Sequence, residues 1–87
     1  MNPQRVVVIT GALGGIGQAS VDLFLKQGDK VVGIDVKPSN DPLVLSLLSS
    51  FPDYFRYETV DCTNENEVEN ALHRIETEFG LIEVLFN

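Results

Sequence analysis

Two kinds of apolar segment alternate along the chain. Compact apolar runs occupy residues 6–9 and 31–34, as is typical of strands. Between such runs lie segments in which apolar residues recur at i, i+3, i+4 and i+7, the spacing of an amphipathic helix. The alternation predicts the element order β-α-β-α-β-α-β, which is typical of an α/β domain built on a parallel sheet.

The same pattern sets the expected bounds of the elements. Strands are expected at residues 5–10, 30–35, 55–60 and 81–87, and helices at residues 15–27, 42–51 and 64–79. Asp41 and Thr63 are expected to cap the second and third helices, while Gly28 and Gly80 are expected to stop the first and third. No repeat, linker or low-complexity tract divides the 87 residues, so we expect one domain, and a partial one in view of the resemblance described below.

The helical spacing also predicts which side chains face the sheet. For the first helix we expect the apolar face to comprise Ile16, Ala19, Leu23 and Phe24, broadened by Val21 and Leu25. For the second and third helices the expected core positions are Val44, Leu47, Leu48 and Phe51, and then Val68, Ala71, Leu72, Ile75 and Phe79.

Charge, hydropathy and cysteine content limit the partners and the cellular compartment that we expect for this protein. Thirteen acidic and six basic residues give a formal charge of −7, which repels nucleic acid and anionic lipid. The chain has no segment of the roughly 20 apolar residues that cross a bilayer, and its first residues do not resemble a signal peptide. With Cys62 as the only cysteine, we expect a cytoplasmic protein without a disulfide and without a metal site at Cys62 or His73.

A glycine-rich segment joins the first strand to the first helix. It reads Thr-Gly-Ala-Leu-Gly-Gly-Ile-Gly over residues 10–17, which is the layout of a dinucleotide phosphate site. Gly11 would allow the turn, Gly15 would allow a phosphate to approach the backbone, and Gly17 would bring the helix close to the sheet. Gly14 is an additional glycine in a spacing that departs from Gly-x-Gly-x-x-Gly.

The spacing Thr-Gly-x-x-x-Gly-x-Gly resembles that of the short-chain dehydrogenase/reductase family. Three further residues match the pattern of this family: Asp35 ends the second predicted strand, Asp61 follows the third, and Asn87 follows the fourth as the first Asn of an Asn-Asn-Ala-Gly motif. The resemblance covers essentially the whole chain. It implies a Rossmann-type, doubly wound parallel sheet with the strand order 3-2-1-4, and an NAD-dependent enzyme that transfers hydride between an alcohol and a carbonyl compound.

The resemblance also assigns roles at the cofactor site. A carboxylate at Asp35 would accept hydrogen bonds from the ribose hydroxyls, which favours NAD over NADP because a 2′-phosphate would be repelled. Lys37 leaves some tolerance of NADP. By resemblance, Asp61 would hold the adenine amino group, the backbone N–H of Cys62 would meet the ring, and Ile16 would lie under the cofactor.

Each of these residues also has a purely structural explanation. Gly15 and Gly17 would serve helix packing alone, Ile16 would be a core residue of the first turn, and Asp35 and Asp61 would be solvated strand ends. Asn87 would be an arbitrary terminus.

The residues that transfer the proton in this family are expected outside the chain. The family's Tyr-x-x-x-Lys requires a Lys four residues after a Tyr, but Glu58 follows Tyr54 and Asp61 follows Tyr57 at that spacing. We therefore expect the cofactor-binding part of a longer enzyme, inactive alone, whose small-molecule substrate is bound only by the full-length form. The alternative is a complete binding module for NAD or another adenine nucleotide, and the apolar fourth strand leaves a homo-oligomer open.

Overall fold

The computed structural model describes residues 5–86 and contains four strands and three helices in this range. The strands are β1 (Val6–Thr10), β2 (Lys30–Asp35), β3 (Phe55–Thr59) and β4 (Ile82–Phe86), and the helices are α1 (Gly15–Lys26), α2 (Pro42–Ser50) and α3 (Glu65–Glu78). The predicted element order is confirmed. Asn87, the predicted final residue of β4, lies outside the described residues.

The strands form one parallel sheet in the order β3-β2-β1-β4, as the sequence predicts. Val8 of β1 is paired with Val32 of β2, and Val32 is paired with Arg56 of β3. On the other side of β1 the register with β4 shifts between the pairs formed by Val6 and Val7. Because all four strands are parallel, their carboxyl ends lie along one edge of the sheet.

Helices cover both faces of the sheet, which explains why β1 and β2 are continuous apolar runs. Val6 and Val8 of β1 point to the face that α3 covers, where they pack with Ala71 and Ile75. Val7 and Ile9 point to the opposite face, where α1 and α2 lie. The four β1 side chains are between 0% and 3% exposed, so β1 forms the centre of both layers of the core.

The buried face of α1 differs from the face that its apolar spacing predicts. Gly17, Val21 and Leu25 are the buried residues of this helix, whereas Ile16 is 80% exposed, Leu23 is 54% exposed and Ala19 is also exposed. The reason is the contact at Gly17: a Cβ at this position would lie 2.1 Å from the Gly11 carbonyl oxygen, so only a glycine permits the approach. This contact sets the rotation of α1 about its axis, and the residues one and two turns further along become the core positions.

A polar side chain caps the start of α2 and the start of α3, but in α3 it is not the residue that the sequence predicts. Asp41 caps α2 as predicted and accepts a hydrogen bond from Leu43 N at 3.0 Å, with Pro42 in the first turn. The prediction that Thr63 caps α3 is wrong. Asn64 caps the helix, and its side-chain oxygen accepts from Glu67 N at 3.2 Å. Thr63 instead donates from its hydroxyl and its backbone N–H to the Asp61 carboxylate, which holds it in the turn before the helix.

Candidate functional site

The carboxyl edge of the sheet carries a cleft beside the glycine-rich turn. The cleft has a volume of about 420 Å³ and is lined by Thr10, Gly11, Gly14, Gly15, Ile16, Gly17 and Phe86. All the predicted glycine positions of the turn therefore line one opening. Phe86, which the sequence analysis did not single out, closes the cleft from β4, and its ring makes an edge contact with Phe24 of α1.

Different features of the structure explain the glycines at positions 11, 15 and 17 of the glycine-rich segment. Gly11 has a φ of 64°, in the left-handed region that side chains disfavour. Gly17 is required by the close approach to Gly11 already described. A Cβ at Gly15 would meet no atom within 4 Å, so the protein itself leaves room for a side chain at this position. Packing therefore explains Gly17 but not Gly15, and the space in front of Gly15 belongs to the cleft.

The backbone N–H groups of the turn divide into two sets. Those of Ala12, Leu13 and Gly14 have acceptors within the protein: the Ile34 carbonyl at 3.1 Å, the Asp35 carboxylate at 2.9 Å and the Gly11 carbonyl at 3.0 Å, respectively. Those at the start of α1 have none within the helix, because the first N–H groups of a helix lack intrahelical acceptors. Helix α1 also has no side-chain cap at Gly14 and no acidic residue in its first turn, unlike α3. The start of α1 therefore presents unneutralised N–H dipoles to the cleft.

Asp35 connects the end of β2 to the turn. Its Oδ2 accepts from Leu13 N at 2.9 Å and its Oδ1 accepts from Val36 N at 2.7 Å. A carboxylate oxygen has two acceptor positions, so each oxygen retains one for a further donor. The side chain is neither a free surface acid nor fully buried, and it lies beside the glycine turn.

The segment that follows Asp35 is fixed to β3 through one carbonyl group. The Tyr57 hydroxyl donates to the Lys37 carbonyl oxygen at 2.6 Å, and the Thr59 hydroxyl donates to the same oxygen at 3.1 Å. Burial, and secondarily the negative charge of Asp35, raise the pKa of Tyr57, so its hydroxyl stays protonated as this bond requires. The side chain of Lys37 forms no salt bridge within residues 5–86.

Asp61 and Cys62 lie at the same sheet edge, beyond β3. The Asp61 carboxylate accepts from the Thr63 hydroxyl at 2.6 Å and from Thr63 N at 3.0 Å. These two hydrogen bonds lower the pKa of Asp61, since both favour its charged form. Partial desolvation, followed by the charges of Asp35 and Asp61, raises the pKa of the exposed Cys62 thiol.

A second cavity extends from Cys62 to Thr10, the first residue of the glycine-rich segment. Its volume is about 190 Å³, and its lining is largely apolar: Thr10, Ile34, Val60, Cys62, Val68, Leu72 and Leu85. Thr10 lines both openings, so the two lie on either side of the end of β1.

The predicted site residues thus gather at one edge of the sheet in two groups. Gly11, Gly14, Gly15, Ile16 and Gly17 line the larger cleft, with Asp35 bonded to its turn, and Cys62 lines the smaller cavity next to Asp61. Ile16 is 80% exposed, so its interpretation as a core residue is wrong. Asn87 falls outside the described residues, and its role stays a prediction.

Sequence reasoning missed two residues that hold the turn, Leu13 and Gln18. Leu13 is 6% exposed and is bonded to Asp35, and the Gln18 side-chain amide donates to the Leu13 carbonyl at 2.8 Å. A glutamine in the first turn of a helix has no distinctive local pattern. Only its contact with a residue of the preceding turn identifies it.

Metal clusters and membrane-spanning helices are two further features that would indicate a function, and the structure contains neither within residues 5–86. This part of the chain contains no group of three or more His, Cys, Asp or Glu side chains arranged to hold a metal ion. Among its helices, none combines the length and the apolar character needed to span a bilayer.

Comparisons with known proteins agree with this geometry. The family model described as short chain dehydrogenase matches residues 5–87. Momilactone A synthase of Oryza sativa subsp. japonica is 39% identical over 84 residues, which are 95% of this chain and 30% of that protein. Short-chain dehydrogenase reductase 3b of Arabidopsis thaliana is 40% identical over 84 residues, 95% of this chain and 32% of that protein. The chain spans less than a third of the length of these two relatives.

Solved structures show the same fold. A short-chain dehydrogenase from Streptomyces avermitilis superposes with a TM-score of 0.85 at 23% identity, over 95% of this chain and 30% of that one. A short chain dehydrogenase from Leptospira borgpetersenii, with bound NAD+, gives a TM-score of 0.73 at 26% identity, over 97% and 30% of the two chains. A Burkholderia multivorans protein assigned to the same family, with bound NADP, gives 0.78 at 28% identity, over 95% and 35%.

Proposed function

The chain belongs to the short-chain dehydrogenase family, and from this premise we propose that it is the cofactor-binding portion of an NAD-dependent oxidoreductase. The enzyme would transfer hydride between NAD(H) and an alcohol or carbonyl substrate. The observation that carries this proposal is the start of α1: it is not capped by a side chain, it follows a glycine-rich turn, and it opens into a cleft of about 420 Å³.

The glycine turn fits a pyrophosphate on chemical grounds. The N–H groups at the start of α1 and the positive end of its dipole favour a bound anion. The absence of a Cβ at Gly15 lets phosphate oxygens approach the backbone, and Gly14 adds a second position without a side chain. Since the N–H groups of residues 12–14 already have acceptors, the phosphates would be bound by the N–H groups of Gly15, Ile16 and Gly17.

The preference for NAD rests on Asp35. The remaining acceptor positions of its carboxylate would receive hydrogen bonds from the adenosine ribose hydroxyls, and its negative charge would repel a 2′-phosphate. Asp61 would accept from the adenine amino group, and the backbone of Cys62 would contact the ring. The side chain of Lys37 lacks a salt-bridge partner within residues 5–86 and lies two residues beyond Asp35, so weaker binding of NADP is expected rather than none.

The chemistry of the reaction would be divided between this chain and residues outside it. When bound, the nicotinamide ring accepts or donates the hydride. Ile16, exposed beside the cleft, would cover one side of the bound nucleotide and exclude water from it. Neither tyrosine is suited to proton transfer: Tyr57 donates its proton to the Lys37 carbonyl and has a raised pKa, and no Lys follows Tyr54 or Tyr57 at the required spacing.

The same proposal extends to the domain organisation, the location and the partners of the protein. We propose that residues 1–87 are one partial domain of a longer cytoplasmic protein, which acts on a small molecule and not on nucleic acid or a membrane. The formal charge of −7 supports the exclusion of nucleic acid and anionic membranes. The exposed apolar residues of β4, Leu85 and Phe86, are consistent with further chain or a second copy packing there.

Isothermal titration of the protein with NAD and with NADP tests this function. We expect NAD to bind more tightly, and Asp35→Ser to lower NAD affinity by about tenfold or more, as the loss of hydrogen bonds to a charged group implies. Both cofactors use the glycine turn, so the ratio of the two affinities isolates the ribose interaction. Asp53→Ser is the matched control, because it removes the same charge from an exposed loop residue.

Two results would contradict the proposal: one concerns the binding of any nucleotide at all, and the other concerns the preference for NAD. Failure of the protein to bind either nucleotide would exclude a cofactor site, and equal affinities unchanged in Asp35→Ser would exclude the NAD preference. NAD binding without reduction of the cofactor is expected of residues 1–87 under both alternatives. Only a longer form of the protein, assayed with NAD and a panel of alcohols, separates the enzyme from the binding module: turnover supports the enzyme, and binding without turnover favours the module.

A further inference from the structure

Leu13 is held at three points in the glycine turn. Its side chain is 6% exposed, its N–H donates to Asp35 Oδ2 at 2.9 Å, and its carbonyl oxygen accepts from Gln18 Nε2 at 2.8 Å. The first two contacts attach the turn to the core and to β2. The third attaches it to the first turn of α1.

Gln18 holds two successive carbonyl groups of the turn. Its side-chain amide donates to Leu13 O, and its backbone N–H donates to Gly14 O, also at 2.8 Å. The second bond belongs to the helix and is available to any residue except proline. The first depends on the side chain of this glutamine, and it orients the Leu13–Gly14 peptide immediately before the N–H groups at the start of α1.

We propose that Gln18 is a positioning residue of the cofactor site, one that fixes the glycine turn in its phosphate-binding conformation before the nucleotide arrives. This rests on the proposed function. Gln18 is not among the residues that line the cleft, so its proposed role is one of positioning. It ties down a carbonyl oxygen that would repel a phosphate if the peptide rotated, and it restricts the motion of Gly14 and Gly15, whose lack of side chains makes them the most flexible part of the turn.

Preorganisation has a measurable consequence. A turn that is already ordered loses less conformational entropy on binding, so removing its restraint weakens affinity without removing a contact to the ligand. Loss of one hydrogen bond of this kind corresponds to an affinity change of about threefold to tenfold.

Hydrogen exchange of the cofactor-free protein, measured by mass spectrometry, tests the proposal together with titration by NAD. Gln18→Leu keeps a side chain of similar size but has no donor. Gln18→Lys restores a donor that can reach the same carbonyl. Ser20→Ala is the matched control. The Ser20 hydroxyl also donates to a backbone carbonyl, that of Ile16 at 2.9 Å, but this carbonyl belongs to α1, and the hydrogen bond of Ser20 reaches neither Leu13 nor Gly14.

We expect Gln18→Leu to exchange about threefold to tenfold faster in the peptide spanning residues 11–17 and to bind NAD more weakly by a similar factor. Gln18→Lys should restore slow exchange in this peptide, and Ser20→Ala should behave like the unsubstituted protein. Unchanged exchange in Gln18→Leu, or an equal increase in Ser20→Ala, would overturn the role of Gln18. Because exchange is measured without nucleotide, it tests Gln18 even if the protein binds neither NAD nor NADP, in which case the proposed function fails separately.

Discussion

The Asp35 carboxylate accepts a hydrogen bond from the backbone N–H of Leu13 at 2.9 Å, across 22 residues of sequence. The residue that favours NAD in the proposed site is therefore also a structural support of the glycine turn. Its other oxygen is bonded to Val36 N, so the carboxylate joins the end of β2, the turn and the start of the next loop. We therefore expect a substitution at Asp35 to disturb both the glycine turn and the loop after β2.

Asp35→Asn tests this support. An amide has one oxygen where the carboxylate has two, so either Leu13 N–H or Val36 N–H would face an NH₂ group instead of an acceptor. We expect a loss of about 1–2 kcal/mol in the free energy of unfolding, measured by urea denaturation. Asp53→Asn, an exposed control, should be unchanged. Equal stability of both variants would mean that the bond to Leu13 contributes nothing.

Gly15 and Gly17 provide a contrasting pair. In Gly17→Ala the new Cβ would meet Gly11 O at 2.1 Å and Ala12 Cα at 2.9 Å, both of them backbone atoms that cannot move aside. We expect Gly17→Ala to lose about 3 kcal/mol or more in the free energy of unfolding, at the upper end of overpacking.

Gly15→Ala should instead leave stability unchanged or slightly increased, because its Cβ enters open space at the start of a helix. We expect this variant to lose NAD affinity, since the methyl group occupies the space proposed for a phosphate. Urea denaturation and calorimetric titration of the two variants check both statements. A stable Gly17→Ala variant, or unchanged affinity in Gly15→Ala, would contradict them.

Arg5 and Asp29 join the start of β1 to the start of β2. Arg5 donates from Nε and Nη2 to the two Asp29 oxygens at 3.2 and 3.0 Å, and the Asp29 side chain is only 10% exposed. Arg5→Met should therefore destabilise the protein more than the loss of an exposed ion pair does, because a largely buried carboxylate loses its partner. Arg5→Lys should be intermediate, since an ammonium cannot donate in the same bidentate geometry.

The matched control is Lys26→Met. Lys26 pairs with Asp22 at 2.9 Å, but the two side chains are 70% and 53% exposed, and such pairs contribute about 1 kcal/mol or less. Thermal unfolding of the three variants distinguishes them. A loss in Arg5→Met no larger than in Lys26→Met would show that burial of Asp29 is unimportant.

The pKa of Asp61 should depend on Thr63. Its hydroxyl and N–H bonds lower the pKa of Asp61, so the charged carboxylate stabilises the fold at neutral pH, and this contribution is lost as the pH falls through the lowered pKa. Thr63→Val removes only the hydroxyl bond, and we expect the pKa of Asp61 to rise toward its ordinary value. Carboxyl ¹³C NMR titration measures the shift, with Thr59→Val as a control whose lost hydroxyl bonds Lys37 O instead. Identical titration of Asp61 in both variants would contradict the assignment.

Much of the fold was predictable because it depends on local chemistry. The apolar runs of β1 and β2, the Asp41-Pro42 start of α2 and the apolar spacing of α3 each agree with the structure. At the site, the glycine turn and the positions of Asp35 and Asp61 at the sheet edge followed from the resemblance and from parallel topology. The cofactor roles of these residues stay predictions.

The errors occurred where two well-suited residues compete and a contact from elsewhere decides between them. Thr63 and Asn64 are both good caps, but the two hydrogen bonds from Thr63 to the Asp61 carboxylate hold Thr63 in the preceding turn, and Asn64 takes the capping position. The apolar residues of α1 surround most of the helix, so spacing alone could not select the buried face. The backbone approach at Gly17 selected it.

The element order and the location of the glycine turn follow from the sequence, because periodicity, caps and glycines act over a few residues. The strand order follows from the family resemblance. Three features become visible only in the packed molecule: the rotation of α1, the hydrogen bond from Leu13 to Asp35 and the hydrogen bond from Gln18 to the turn. These depend on distances between atoms that are far apart in sequence or that meet only after helix and sheet have packed, and no local pattern encodes them.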